Sequence, residues 1–172
     1  RTREQAKKRR IDERPVVVER RSRIGDWEGD TMMGRDKRVR VVTFVDRKTG
    51  YLIAYLLPKM RAELLTTLAL KAFNRIPKAK RKTLTLDNGT EFSDWERLEE
   101  RSGMTIYFAY PYHAWERGTN ENTNGLLRQY FPKNLDFNLI RLEELAHAVK
   151  RLNDRPRKRL GFKSPRHRFL KR

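Results

Sequence analysis

The chain has 172 residues, no cysteine, 37% hydrophobic residues and a formal net charge of +19. That length supports one domain with a buried core rather than two, and the missing cysteines exclude disulfides and thiolate zinc sites. No run approaches the roughly 18 apolar residues of a membrane span, and the first residues are charged rather than those of a signal peptide, so a cytoplasmic protein without a membrane partner is expected and the Asn88-Gly89-Thr90 sequon is read as fortuitous.

Residues 1–23 carry ten Lys or Arg against four acids, with only Val16-Val17-Val18 as an apolar run, and read as a basic arm or linker rather than a packed element. Strands are expected near 25–33, 39–47 and 51–57, the last two joined by a turn at Lys48-Thr49-Gly50. Leu64, Leu65, Leu68 and Ala72 recur at helical spacing over about 61–75, and Pro77 ends that helix. A short buried strand over 83–86 delivers Asp87, a helix follows near 93–101, and another strand covers 105–109. A helix from about 116 to 130 turns Leu126, Leu127 and Tyr130 to the core. A last helix over about 141–152 carries Leu142, Leu145, Ala146, Val149 and Leu152 on one face. Residues 155–172, with nine Lys or Arg and no acid, read as a basic tail. Three consecutive strands followed by strands alternating with helices predict an α/β core over 24–154, a mixed five-stranded sheet with helices on both faces.

Three acids stand in unlike settings: Asp30 closing Gly25-Asp26-Trp27-Glu28-Gly29, Asp87 opening Asp87-Asn88-Gly89, and Glu121 inside Gly118-Thr119-Asn120-Glu121-Asn122-Thr123-Asn124-Gly125. Two strand ends and a helix are how distant carboxylates are gathered to hold a hard, oxygen-loving cation such as Mg²⁺. Each also has an ordinary reading. An Asp before Asn-Gly often just forms a turn, a Glu beside Asn residues on a helix usually faces solvent, and Asp26, Glu28 and Asp30 alternate along one strand so that any of them can be the ligand. Asp46 is a further candidate, with a salt bridge as its plainer role. Trp27 faces the other way and reads as core, and His113, His147 and His167 are too scattered for a metal cluster. On the helix, Glu121, Asn124, Gly125 and Arg128 share a face. There Asn124 can position a water or phosphate, Gly125 can admit a close substrate or the sheet, and Arg128 can hold a phosphate at the rim.

The two ends of the chain hold +6 and +9 of the charge, leaving +4 for residues 24–154. A nearly balanced core with basic flanks is expected of a polyanion binder, because each phosphate neutralised releases counterions. Nucleic acid is the favoured partner, and a merely solvated basic surface is the alternative.

The strings Asp26-Trp27-Glu28-Gly29-Asp30-Thr31, Leu86-Asp87-Asn88-Gly89-Thr90-Glu91-Phe92, Tyr110-Pro111-Tyr112, the long run from Trp115 to Lys133, and Leu152-Asn153-Asp154-Arg155-Pro156 through Phe162 resemble the catalytic domain of bacterial transposases of the insertion sequence 30 type, over roughly residues 20–168. The resemblance implies an RNase H-like integrase core whose DDE triad is Asp30, Asp87 and Glu121, the last two separated by 33 residues. It further implies cleavage and strand transfer of DNA with two Mg²⁺ ions, replaceable by Mn²⁺, about 3.5–4 Å apart. Asn124, Arg128, Arg117, Arg157, Lys158 and Arg159 are then expected to contact DNA, in a homodimer or larger assembly on transposon ends and target, at the bacterial nucleoid. Family members usually carry helix-turn-helix regions ahead of this domain, for which the chain has no room, so end recognition is expected to be absent from it. They also commonly have histidine where this sequence has Asp26, which adds negative charge beside the expected site. A nuclease of the same fold that cuts without joining, and a domesticated DNA-binding module without activity, are the competing readings.

Overall fold

The computed structural model describes residues 8–110 and 118–171. In chain order its strands are β1 (Arg9–Arg10), β2 (Asp26–Met33), β3 (Arg40–Asp46), β4 (Leu52–Leu57), β5 (Thr83–Leu86) and β6 (Thr105–Phe108), and its helices are α1 (Val16–Glu19), α2 (Ala62–Phe73), α3 (Trp95–Ser102), α4 (Gly118–Leu127), α5 (Leu142–Asp154) and α6 (Pro165–Leu170). They form one six-stranded sheet in the order β1-β6-β5-β2-β3-β4. The β2-β3-β4 meander is antiparallel, whereas β5 runs parallel to β2, β6 parallel to β5, and β1 parallel to β6.

Period-two alternation assigns side chains to two cores, one on each face. Trp27, Val42, Phe44, Leu84 and Leu86 point to α2 and α3, meeting Leu65, Ala69, Phe73, Trp95 and Leu98. Met32, Val41 and Val45 point the other way, to Leu127, Leu145, Ala148 and Leu152 of α4 and α5. Trp27 is fully buried, as its position opposite the acids implied, with its ring edge-on to Phe73 at 5.3 Å and to Phe169 at 5.5 Å. Gly29 shares that face because nothing larger fits: a Cβ there would lie 2.6 Å from Leu86 Cδ2 and 2.8 Å from Phe44 Cε1. Helix ends follow local chemistry. Gly103, at φ +77°, stops α3 in the left-handed conformation, and Ser164 caps α6 by accepting from the His167 N–H at 3.1 Å, with Pro165 following it.

Three features differ from the sequence expectation. Within the stretch read as an unpacked arm, Arg9–Arg10 supplies the sixth strand, Val18 is fully buried and Ile11 nearly so. Residues read as a tail are docked: Phe169 stacks on Tyr51 at 4.2 Å, and Asp154 joins α5 to α6 through Arg166 at 2.6 Å. On α5 the buried positions are Leu145, Ala148, Leu152 and Asn153, while Leu142 is 70% exposed and Ala146 is exposed. No helix among the described residues is long and apolar enough to cross a membrane.

Candidate active site

The parallel strands β2 and β5 pair with Glu28 opposite Thr85, the last pair of their ladder; Asp30 lies two residues further along β2, on the face of Glu28, and Asp87 follows the end of β5. This is the carboxyl end of the parallel strands, where open α/β sheets leave a crevice. Both aspartates are half-buried. Helix α4 lies over this face. Its Asn120 donates from the backbone to Glu28 Oε2 at 2.8 Å and from its amide to the Glu28 carbonyl at 2.9 Å. One turn on, Asn124 Nδ2 donates to Asp30 Oδ2 at 3.0 Å while its own Oδ1 accepts from the Thr43 hydroxyl at 3.1 Å. The chain Thr43–Asn124–Asp30 fixes the amide's orientation and holds one carboxylate oxygen; the other accepts from the Thr31 N–H at 2.8 Å.

Asp87 does form a turn, accepting from the Gly89 N–H at 2.8 Å, and does so at the mouth of the site. Glu121 lies on α4 one turn before Asn124, exposed to solvent. Asp30 and Asn124 are thus in direct contact, Asp87 follows the end of the neighbouring strand β5, and Glu121 lies on the same helical stripe as Asn124. Among the described residues no three His, Asp or Glu side chains stand close enough to hold one ion together.

The other acids of β2 have structural work. Asp26 is fully buried, held by Arg23 through two hydrogen bonds of 2.8 and 3.0 Å and by the Thr83 hydroxyl at 2.8 Å. Its charge is therefore neutralised at the far end of the strand instead of adding to the site. Glu28 is fully buried against Arg47, whose Nε donates to the Val18 carbonyl at 3.1 Å. Burial pushes the Glu28 carboxyl up, opposed by Arg47 and by the Asn120 N–H. Asp46 is likewise engaged within the fold: it accepts from the N–H groups of Gly25 and Thr49 and from the Thr49 hydroxyl, tying the β3–β4 turn to the start of β2, and burial raises its pKa.

Among the residues expected on DNA, Arg128 Nη1 bonds the carbonyl of Met33 at 2.8 Å and contacts that of Phe131 at 3.5 Å, and burial lowers its pKa. Arg157 and Arg159 are half-buried and exposed respectively, and Lys158 is exposed. Arg117 and His113 lie outside the described residues. At Gly125 an added Cβ would meet nothing within 4 Å among the described residues, so no packing among them demands glycine there. Sequence reasoning does not single out Glu91. Its carboxylate accepts from the Thr31 hydroxyl at 3.0 Å, lies 3.9 Å from Arg40 Nη1, and sits so close to Gly89 that a Cβ there would be 2.3 Å from Oε2. Its place four residues after Asp87 and beside the neighbour of Asp30 makes it a fourth acid at the rim. The only signal is its position in the Asp-Asn-Gly-Thr-Glu-Phe string.

The family described as "Integrase core domain" matches residues 21–114. The chain is 41% identical over 159 residues to the transposase for insertion sequence element IS4351 of Bacteroides fragilis, covering 92% of the chain and 48% of that protein. It is 39% identical over 155 residues to the transposase InsI for insertion sequence element IS30A of Escherichia coli (strain K12), covering 90% and 40%. It thus spans less than half the length of these relatives. Among solved structures, the catalytic core domain of BIV integrase superposes with a TM-score of 0.65 at 22% identity, covering 84% of the chain and 92% of that core. A chain of the simian T-cell lymphotropic virus intasome, in complex with PP2A regulatory subunit B56 gamma, gives 0.70 at 20% identity, covering 86% and 55%. These two likenesses establish the RNase H-like fold.

Proposed function

The chain belongs to the integrase core domain family, and on that premise we propose that it is the catalytic domain of a DDE transposase that cuts DNA strands and joins the freed ends to new DNA. The observation that supports this reading is the bond from Asn124 of α4 to Asp30 in β2, with Asp87 just past the end of β5, the strand paired parallel to β2. In this reading Asp30 and Asp87 hold the divalent metal and Glu121 supplies the third carboxylate. The donor set suits Mg²⁺, with Mn²⁺ as substitute: every ligand atom is a carboxylate oxygen, and half-buried aspartates leave room for water and phosphate oxygens to complete the shell. When bound, two such ions lower the pKa of the attacking water or 3′-hydroxyl and stabilise the leaving 3′-oxygen of an in-line displacement.

The protein's own contribution is positional. Thr43 and Asn124 fix Asp30 in one rotamer, the Asx turn fixes Asp87, and the buried Glu28–Arg47 pair anchors α4 beneath them. DNA is the proposed partner, bound by basic residues around the site, and the handling of two transposon ends calls for a dimer or larger assembly. Bacterial relatives support a setting in the cytoplasm at the nucleoid.

The test has two arms. Calorimetric titration of Mn²⁺ into wild type and Asp87→Asn should show binding that the variant weakens at least about tenfold. On labelled, pre-branched DNA, wild type should yield joined products that Asp87→Asn does not. Cut but never joined products would establish the nuclease reading, and undiminished joining by the variant would overturn the assignment.

A further inference from the structure

Helix α4 has two flanks. Asn120 and Leu127 turn to the sheet, Glu121, Asn124 and Arg128 lie on one side, and Thr119, Asn122, Thr123 and Leu126 lie on the other. That second flank borders a cleft of about 250 Å³, whose remaining wall includes Arg21, Arg157 and Arg159. The cleft continues into an adjoining one of about 650 Å³, which shares Arg21 and Arg159 and adds Lys48, Arg168 and Lys171. Six cations thus line the pair, and no Asp or Glu is found in either wall among the described residues.

Two of the three guanidinium groups are held by hydrogen bonds. Arg159 donates to the Lys48 carbonyl at 2.9 Å, and its Nη2 would stand 3.0 Å from a Cβ on Gly50. Arg157 donates to the Leu152 carbonyl at 3.0 Å. Arg21 is one of two described non-glycine residues with positive φ, at +51°, a conformation that its neighbours must impose; its Nη2 would lie 4.0 Å from a Cβ on Gly118. Burial is the main cause lowering the pKa of Arg157 and of Arg159, with the like charges of Arg155 and Arg159 adding for the first and of Arg21 for the second, where Asp46 opposes. Two polar groups of the wall are also buried with no hydrogen-bond partner among the described residues: Arg157 Nε and the hydroxyl of Thr119, the latter residue 7% exposed. Buried donors left unmade are costly, and an oxyanion is the ligand that would satisfy them and the repelling cations together.

We propose that this cleft seats a backbone phosphate of DNA between Arg21, Arg157 and Arg159, on the flank of α4 opposite Asn124, with the adjoining cleft carrying the strand onward. The proposal rests on the reading of DNA as partner and deepens it. Phosphates are gripped on both sides of the helix that carries Glu121, so the DNA crosses α4 instead of touching only the carboxylate side.

The experiment compares fluorescence anisotropy of a labelled duplex with wild type, with Arg21→Gln/Arg159→Gln, and with Lys71→Gln/Arg75→Gln, a charge-matched pair exposed at the far side on and just after α2. Phosphorus NMR broadening of inorganic phosphate is measured on the same three proteins, and thermal melting checks that each is folded. The cleft pair should weaken DNA binding at least about tenfold and reduce the slope of log K against log salt by about 2, and should abolish phosphate broadening, while the α2 pair does neither. Equal losses from both pairs would overturn the proposal, since general charge would then explain binding. Wild type that broadens phosphate through this cleft yet binds no duplex would overturn DNA as the source while leaving an anion site. DNA binding that the cleft pair leaves intact would overturn the cleft and leave the DNA reading standing.

Discussion

Strand β2 carries the same chemistry at two ends and uses it in opposite ways. Asp26, Glu28 and Asp30 lie on one face at a spacing of two, yet the first two are sealed by Arg23, Thr83, Arg47 and Asn120, and the third, half-buried, takes an amide from Asn124. A carboxylate clamped between arginines in the interior has its charge and geometry committed to the fold. A half-buried one past the end of the β2–β5 ladder lies where a ligand can reach it. Identity and periodicity are equal along the row, so burial and partner decide the role.

The contrast can be broken at either end. The largest effect is expected from Arg47→Ala, which strands Glu28 in the interior and should cost about 3–5 kcal/mol of stability in urea denaturation; a cost below about 1 kcal/mol would mean that the pair does not anchor α4. Next comes Asp30→Asn. Strand transfer should fall at least about a hundredfold, corresponding to about 2.7 kcal/mol of transition-state stabilisation, while stability shifts by no more than about 1 kcal/mol. The opposite pattern would place Asp30 with the structural acids. Asn124→Ala sharpens the comparison by removing only the amide that orients Asp30. About a tenfold loss of strand transfer is expected, with binding of a DNA duplex within about twofold; equal losses in both would make Asn124 a DNA contact instead.

The smallest effect belongs to Asp36 beyond the strand, half-buried and paired with the exposed Arg38. Hydrogen bonds from the Arg38 side chain and then its backbone hold this carboxyl at about 2, below its usual 3.8. A depressed folded pKa means that the contribution is present above the unfolded value and is lost as pH falls through about 2. NMR titration should show the low value and its relaxation toward 3.8 in high salt, because exposed pairs are screened. A value unmoved by salt would contradict an exposed origin.

Much of this architecture is legible in the sequence. The alternation in β3 and β4, the helical spacing of α2 and the turn at Lys48-Thr49-Gly50 follow from apolar periodicity, and Asp87 stands out because it follows a strand end, whereas Asp30, expected at one, lies within β2. What stays hidden lacks a periodic signal. Strand β1 is two arginines paired with β6, without an apolar residue of its own, so composition disguises it as an arm. Phe169 and Leu160 are isolated apolar residues among cations, and only the tertiary fold shows that they dock. The separate duties of Asp26, Glu28 and Asp30 depend on Arg23, Arg47 and Asn120, partners that neighbour them in space more than in sequence. For the same reason the cleft of Arg21, Arg157 and Arg159 is readable as charge but not as a site.

The most direct test of the central claim is Mg²⁺-dependent strand transfer on a labelled, pre-branched DNA, comparing the chain with its Glu121→Gln variant. Glu121 is the exposed member that Asp30 and Asp87 require. The account predicts that the variant melts and binds DNA as wild type does, and joins strands at least about a hundredfold more slowly. A Glu121→Gln protein that joins strands at the wild-type rate would contradict it.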